Sequence, residues 1–322
     1  AGAVIEGVDE ATGYPMRETR IEGETCVYYP ALINADHCDG FAISGEGTID
    51  GQGASTWEQF WRRRAASRSG DSFPNKALMR PRVLYVSNSR NIEVSGVTFK
   101  NSKFWTTHYY NCEDVNIHDC TILAEVLKDS AGKTLKGPST DAIDIDKCRR
   151  VTVRNCRISV NDDGVVIKGG KGAWANDYVK HPENGGSSEI LVENCLFSYP
   201  THHAMTIGSE CPEADGITMR NCTVNGVETL QRYSNILVEN VTGSCATFFR
   251  VNAWSQYENL EGRTKEELKS FATNVILRNN VITCRKVREG SGEGEYFELT
   301  DLVMENNTFS FFHHTANFGR LR

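Results

Sequence analysis

The chain has 322 residues, 39% hydrophobic and 24% charged, with a formal net charge of -7. That balance fits a folded globular protein, argues against nucleic acid as the main partner, and leaves no run of about 18 apolar residues to span a membrane. Eleven cysteines without CxxC pairs argue against a zinc ribbon, and a chain this long needs no dense disulfide framework.

In chain order, "AGAVIEGVDEATGYPM" lacks a basic stretch followed by an apolar one, so it does not read as a signal peptide. "GEGTIDGQG" (Gly45–Gly53) reads as a strand entering a Gly-rich turn. Residues 55–68 predict a short helix with a Ser55/Glu58 capping box, and its Trp57, Phe60 and Trp61 would pack over the core. From there on, short alternating segments recur, each ending in Asn and a small residue. They are "VTVRNC" (Asn155), "ILVENC" (Asn194), "ITMRNC" (Asn221), "ILVENV" (Asn240), "VILRNN" (Asn279) and "LVMENN" (Asn306), with degenerate copies at "IEVSGV" and "VNIHDC". Alternation followed by a polar turn is the pattern of a half-buried strand, and Asn accepts the left-handed turn conformation. A repeat of roughly 20–30 residues with occasional insertions predicts a solenoid. The expected fold is all-β: a single-domain right-handed parallel β-helix over residues 1–322, with short insertions near 55–68, 171–188 and 259–271. Cys120, Cys156, Cys195 and Cys222 share one register and predict a buried internal row of thiols. The interval from Asn221 to Asn240 is the shortest, so that coil is either truncated or lacks a loop.

Stacked coils bring together residues one repeat apart. "STDAIDID" holds Asp141, Asp144 and Asp146; "NDDGVVIKGG" holds Asp162 and Asp163 about one coil later; "THHAMTIG" follows the 171–188 insertion with His202 and His203. Carboxylates crowded on one face raise one another's pKa values, which suits the acid and base of glycoside hydrolysis. Asp144 is expected near this patch, and Asp146 as a turn residue before Cys148.

These motifs and their order resemble the polygalacturonase family, glycoside hydrolase family 28. "STD", "DD" and "HHA" stand where that family has N-T-D, D-D and G-H-G, and "GTIDGQG" and the stretch from Arg80 to Ile117 are also similar to it. Ser139, Ala142, His202 and Ala204 depart from the family pattern, and no R-I-K follows Asn225. The resemblance implies an inverting hydrolase of α-linked galacturonic acid, or an exo-acting galacturonidase, that needs no cofactor and no metal. It makes Asp162 the general acid, has Asp141 and Asp163 position and activate water, and has His203 tune Asp162. Lys168, Arg80 and Arg82 become candidate partners for a uronate carboxylate. Trp105, His108 and His202 become candidate sugar contacts. Its partner would be a pectic oligo- or polysaccharide, not nucleic acid or a membrane, and the chain would act as a secreted or periplasmic monomer. The alternatives are a β-helical polysaccharide lyase and a glycan-binding β-helix without catalysis.

Overall fold

The computed structural model describes residues 2–9, 13–67, 73–229, 235–251, 262–264, 270–290 and 297–312. The alternating segments form strands because their apolar positions share one face. In Arg149–Arg154, Val151 and Val153 are buried while Thr152 and Arg154 are partly exposed. Each regular coil gives one strand to each of three parallel sheets. Counting strands among the described residues alone, one sheet has ten, from Val4–Glu6 to Thr308–Phe311. A second has nine, from Ala42–Ser44 to Leu302–Glu305. The third has six and carries the acids; its strands run in the order Met205–Ile207, Val165–Lys168, Ile143–Asp146, Thr107–Tyr110, Arg82–Ser87 and Ala31–Asp36. The stack is a parallel β-helix. One continuous core fills it, from Ala35 through Val153, Phe197 and Met219 to Cys284.

The coil corners follow the Asn pattern. Asn155, Asn194, Asn221, Asn240, Asn279 and Asn306 all have φ between 51° and 55°. Neighbouring corners also bond, as when Asn240 Nδ2 donates to Asn221 Oδ1 at 3.2 Å. Only a short polar side chain or Gly takes this conformation cheaply. Asn194→Ala is therefore expected to lower unfolding free energy by about 1 kcal/mol, and Asn194→Gly by less, in denaturant titrations.

Inside, none of the eleven cysteines forms a disulfide. Cys120, Cys156, Cys195 and Cys222 are a buried row, and each thiol donates at 3.3 Å to the carbonyl two residues before it. Such enclosed thiols pack as small hydrophobes.

The insertions depart from expectation in detail. Helix α1 spans Ala54–Ala66, but Gly53 is its N-cap and no side chain caps it. Ser55 Oγ instead donates to Asp9 Oδ1 at 2.6 Å, and Glu58 accepts from Ser130, so the capping box does not form. Trp57 is fully buried and donates to the Ser102 carbonyl at 2.8 Å, while Trp61 donates to the Lys136 carbonyl at 2.6 Å. Residues 171–186 run in turns and bends before the strand Ser187–Glu193. Most of the insertion expected at 259–271 lies outside the described residues; its end begins the strand Ser270–Ala272.

The short interval has a structural counterpart. Strands Ala214–Arg220 and Thr223–Thr229 continue the two longer sheets, and the next strand, Ile236–Glu239, pairs directly with Ala214–Arg220. Among the described residues, the third sheet has no strand beyond Met205–Ile207.

Candidate active site

Register decides which side chains meet. Ile143 pairs with Val165, and Val165 with Met205. Two residues before those positions stand Asp141, Asp163 and His203; one residue further back stand Thr140, Asp162 and His202. The turns that carry them are laced together. Ala142 N donates to the Asp163 carbonyl at 2.9 Å, Gly164 N to the His203 carbonyl at 2.7 Å, and His202 N to the Asp162 carbonyl at 2.9 Å. Two residues that the sequence reading passed over hold this lattice. Thr140 Oγ1 donates to the Gly137 carbonyl at 3.2 Å and accepts from Asn161 N at 3.1 Å, and Asn161 Oδ1 accepts from Gly137 N at 2.6 Å. Each immediately precedes a candidate acid, and that adjacency was the available signal.

Within the patch the carboxylates are unlike. His203 Nδ1 hydrogen-bonds Asp163 Oδ1, and His202 Nδ1 lies 3.4 Å from the same oxygen. Burial pushes Asp163 upward, but the two imidazoles outweigh it and hold the carboxyl well below its ordinary range. Burial, reinforced by the Asp163 charge, lifts Asp162 to about 6, against the opposing pull of His202 and His203. Asp141 is raised well above its usual value, first by burial and then by the charges of Asp144 and Asp162. Neighbouring acids thus differ because only Asp163 is hydrogen-bonded to the imidazoles.

Beneath this patch, strand Ile143–Asp146 sends Ile143 and Ile145 into the core and leaves Asp144 and Asp146 on the outer face. Asp146 is not a turn residue. It is completely buried and pairs with Arg20 Nε at 3.2 Å. Arg20 comes from the antiparallel hairpin Arg17–Ile21 and Glu24–Tyr28, which lies over the sheet. The same guanidinium donates to Asn184 Oδ1 at 2.7 Å and to the Gly169 carbonyl at 3.1 Å. Lys168 is buried, 3.1 Å from Glu210 and 3.5 Å from Asp144, and its ammonium sits 4.4 Å from the centre of the Trp105 ring. Asp144 is raised to about 8, by burial above all, with Lys168 opposing and Glu210 reinforcing. Neither Arg20 nor Glu210 could be chosen from the sequence, because nothing local distinguishes them.

The remaining candidates are enclosed. Arg80 lies between Phe60 and Phe104, with ring centres 4.4 and 4.5 Å from its guanidinium carbon, and donates to the Lys103 and Pro138 carbonyls. Arg82 gives its donors to the Pro30 and Arg20 carbonyls, to Thr19 and to His108 Nδ1. At 0% and 1% exposure, neither arginine reaches a sugar without rearrangement. His108 is fully buried and, chiefly through burial, held down to about 3, hence neutral. Because Arg82 donates to Nδ1, the imidazole proton belongs on Nε2, 3.4 Å from Asp146 Oδ2. Trp105 is stacked on Phe104 with ring centres 4.9 Å apart. These four side chains are packed beneath the site, whereas the side chain of His202 is 40% exposed at its rim.

Comparison with known proteins agrees with this architecture. A probable polygalacturonase of Vitis vinifera is 30% identical over 183 residues, 56% of this chain and 32% of that protein. An exopolygalacturonase of Zea mays is 34% identical over 131 residues, 40% of this chain and 27% of that one. The chain therefore spans about a third of the length of these curated relatives. Among solved structures, the polygalacturonase from Erwinia carotovora superposes with a TM-score of 0.69 at 17% identity, covering 98% of this chain and 80% of that one, which speaks to the fold. Residues 16–246 match the model of glycosyl hydrolases family 28, which takes in every strand of the acid-bearing sheet, and the chain belongs to that family.

Proposed function

We propose that this protein hydrolyses α-linked galacturonic acid in pectic polysaccharide with inversion at the anomeric carbon. The observation that carries the reading is the contrast between two adjacent carboxyls, Asp162 holding its proton to about 6 and Asp163 kept ionised by His203 and His202. Asp162 gives its proton to the glycosidic oxygen as the C1–O bond breaks, and Asp163 takes a proton from the water that attacks the opposite face. Asp141, raised well above its usual value by burial and the neighbouring carboxylates, positions that water by hydrogen bonding. The two carboxyls exchange protonation states in each turnover and are reset from solvent.

Chain-end action fits the covering of the outer face beyond Lys168. Arg20 ties the N-terminal hairpin to Asp146, Gly169 and Asn184, and a Cβ added at Gly23 would come within 2.7 Å of the Lys171 Cβ. A groove closed on that side accepts a terminus more readily than a chain interior. A polymeric pectic substrate makes a secreted or periplasmic monomer the corresponding setting.

The deciding experiment follows product anomers by proton NMR on galacturonate oligomers. The β-anomer is expected first, with the α-anomer appearing only by mutarotation. An α-anomer formed first would make the mechanism retaining. An ultraviolet-absorbing unsaturated product would make the protein a lyase, and no turnover of any pectic fragment would make it a binding protein.

A further inference from the structure

Where the family has glycine before its histidine, this chain has His202, and that residue changes the coordination chemistry of the site. We propose that Asp163, His202 and His203 form a binding site for a divalent transition-metal ion of the zinc class, and that its occupancy switches hydrolysis off. The three side chains can each offer one ligand atom, all within 4.8 Å of one another. Two imidazoles and one carboxylate are the donor set of many three-ligand metal sites and favour zinc, copper or nickel over calcium or magnesium, which seek more oxygens. Donors about 2.0–2.1 Å from a tetrahedral ion lie about 3.3 Å apart. His202 Nδ1 is already 3.4 Å from Asp163 Oδ1. His203 Nδ1 is closer and has to withdraw by less than the width of an atom. The imidazole rings stand at 66° with centres 4.0 Å apart, and both Nδ1 atoms approach the same Asp163 oxygen.

A second, independent feature concerns His203. The residue is 9% exposed, and its Nε2 is buried with no hydrogen-bond partner. That nitrogen can carry the ring proton once Nδ1 gives its lone pair to a metal. The backbone also preorganises the set. Asp163 comes from the turn before Val165–Lys168 and the two histidines from the turn before Met205–Ile207, and those turns are hydrogen-bonded to each other. The exposed side of His202 leaves a path for an ion to enter. Once coordinated, Asp163 no longer offers its lone pair to water.

Binding is independent of the hydrolytic reading, whereas the inhibitory consequence rests on it, so the two are measured separately. Metal-stripped protein is titrated calorimetrically with zinc chloride, beside His202→Ala and a control, His118→Ala, from the opposite part of the coil. One ion per chain is expected at low micromolar concentration. Losing even an outer partner of a metal ligand weakens binding 10- to 100-fold, so His202→Ala is expected to weaken it by at least about tenfold, with His118→Ala unchanged. Absence of saturable binding, or equal affinity in wild type and His202→Ala, overturns the site. Circular dichroism of each variant separates a lost ligand from a lost fold. On galacturonate oligomers, zinc but not magnesium is expected to inhibit the wild type, with a midpoint shifted at least about tenfold in His202→Ala relative to that variant's own metal-free rate. Binding without inhibition retains the site and overturns the switch.

Discussion

Asp162→Asn is expected to lower kcat/KM on a galacturonate oligomer by about 10²–10⁴-fold, the usual worth of a positioned general acid. Folding should be unharmed, because Asn keeps the shape of a carboxyl that is already neutral in mild acid. The folded-state pKa of Asp162 is raised above that of an unfolded carboxyl, so its protonated form is the one the fold favours, and that advantage is lost as pH rises through about 6. The variant carries no charge there, and its unfolding midpoint should match or exceed wild type above that pH. The same shift shapes the wild-type profile. Activity should decline above about pH 6 as the acid loses its proton. The acid limb should appear only well below the ordinary carboxylate range, where Asp163 at last protonates. Wild-type turnover in Asp162→Asn would place the proton donor elsewhere.

Arg20→Met is expected to cost about 3–5 kcal/mol of stability, because it leaves Asp146 as a buried charge without its guanidinium partner. Both side chains are almost wholly enclosed, at 1% and 0% exposure, so solvent cannot take over the role of the guanidinium. Burial alone would raise Asp146, but His108 and Arg20 reverse the shift and hold it below its ordinary value. Its contribution is therefore present above the pKa of an unfolded carboxyl and is lost as pH falls through the lower folded value. The deficit of Arg20→Met should shrink in strong acid. The double variant Arg20→Met/Asp146→Leu removes both charges and should recover much of the loss. Denaturant unfolding across pH measures all of this. A deficit near the about 1 kcal/mol of an exposed pair would mean that the hairpin is not a structural lock.

Much of the solenoid was legible because its rules are local and repeated. Alternation marked the strands, Asn marked the left-handed corners, and a shared position just after the corner residue placed the thiols in one row. The acids were legible by the same arithmetic, since stacking turns a separation of one coil into lateral adjacency. Register added a refinement that spacing alone could not resolve: it aligns Asp141 with Asp163, not with Asp162. What failed depended on partners far along the chain. Asp146 resembled a turn residue until Arg20, 126 positions away, was found against it. Arg80 and Arg82 resembled ligands for an anion because nothing local reveals that backbone carbonyls occupy them. The Ser55/Glu58 capping box had correct spacing, but the helix is capped at Gly53, two residues before Ser55, so the box does not close.

Among the described residues the acid-bearing sheet ends at Met205–Ile207, while the two longer sheets run on. In a solenoid, cohesion is a sum of interactions between adjacent rungs, with no term linking distant ones. A change in one wall of one rung therefore alters that wall's contacts and nothing further along. The two longer walls carry alignment across this step, with Thr218 opposite Leu237 and Thr223 opposite Thr242. Register past the acid-bearing strands is therefore carried rung by rung through these two walls.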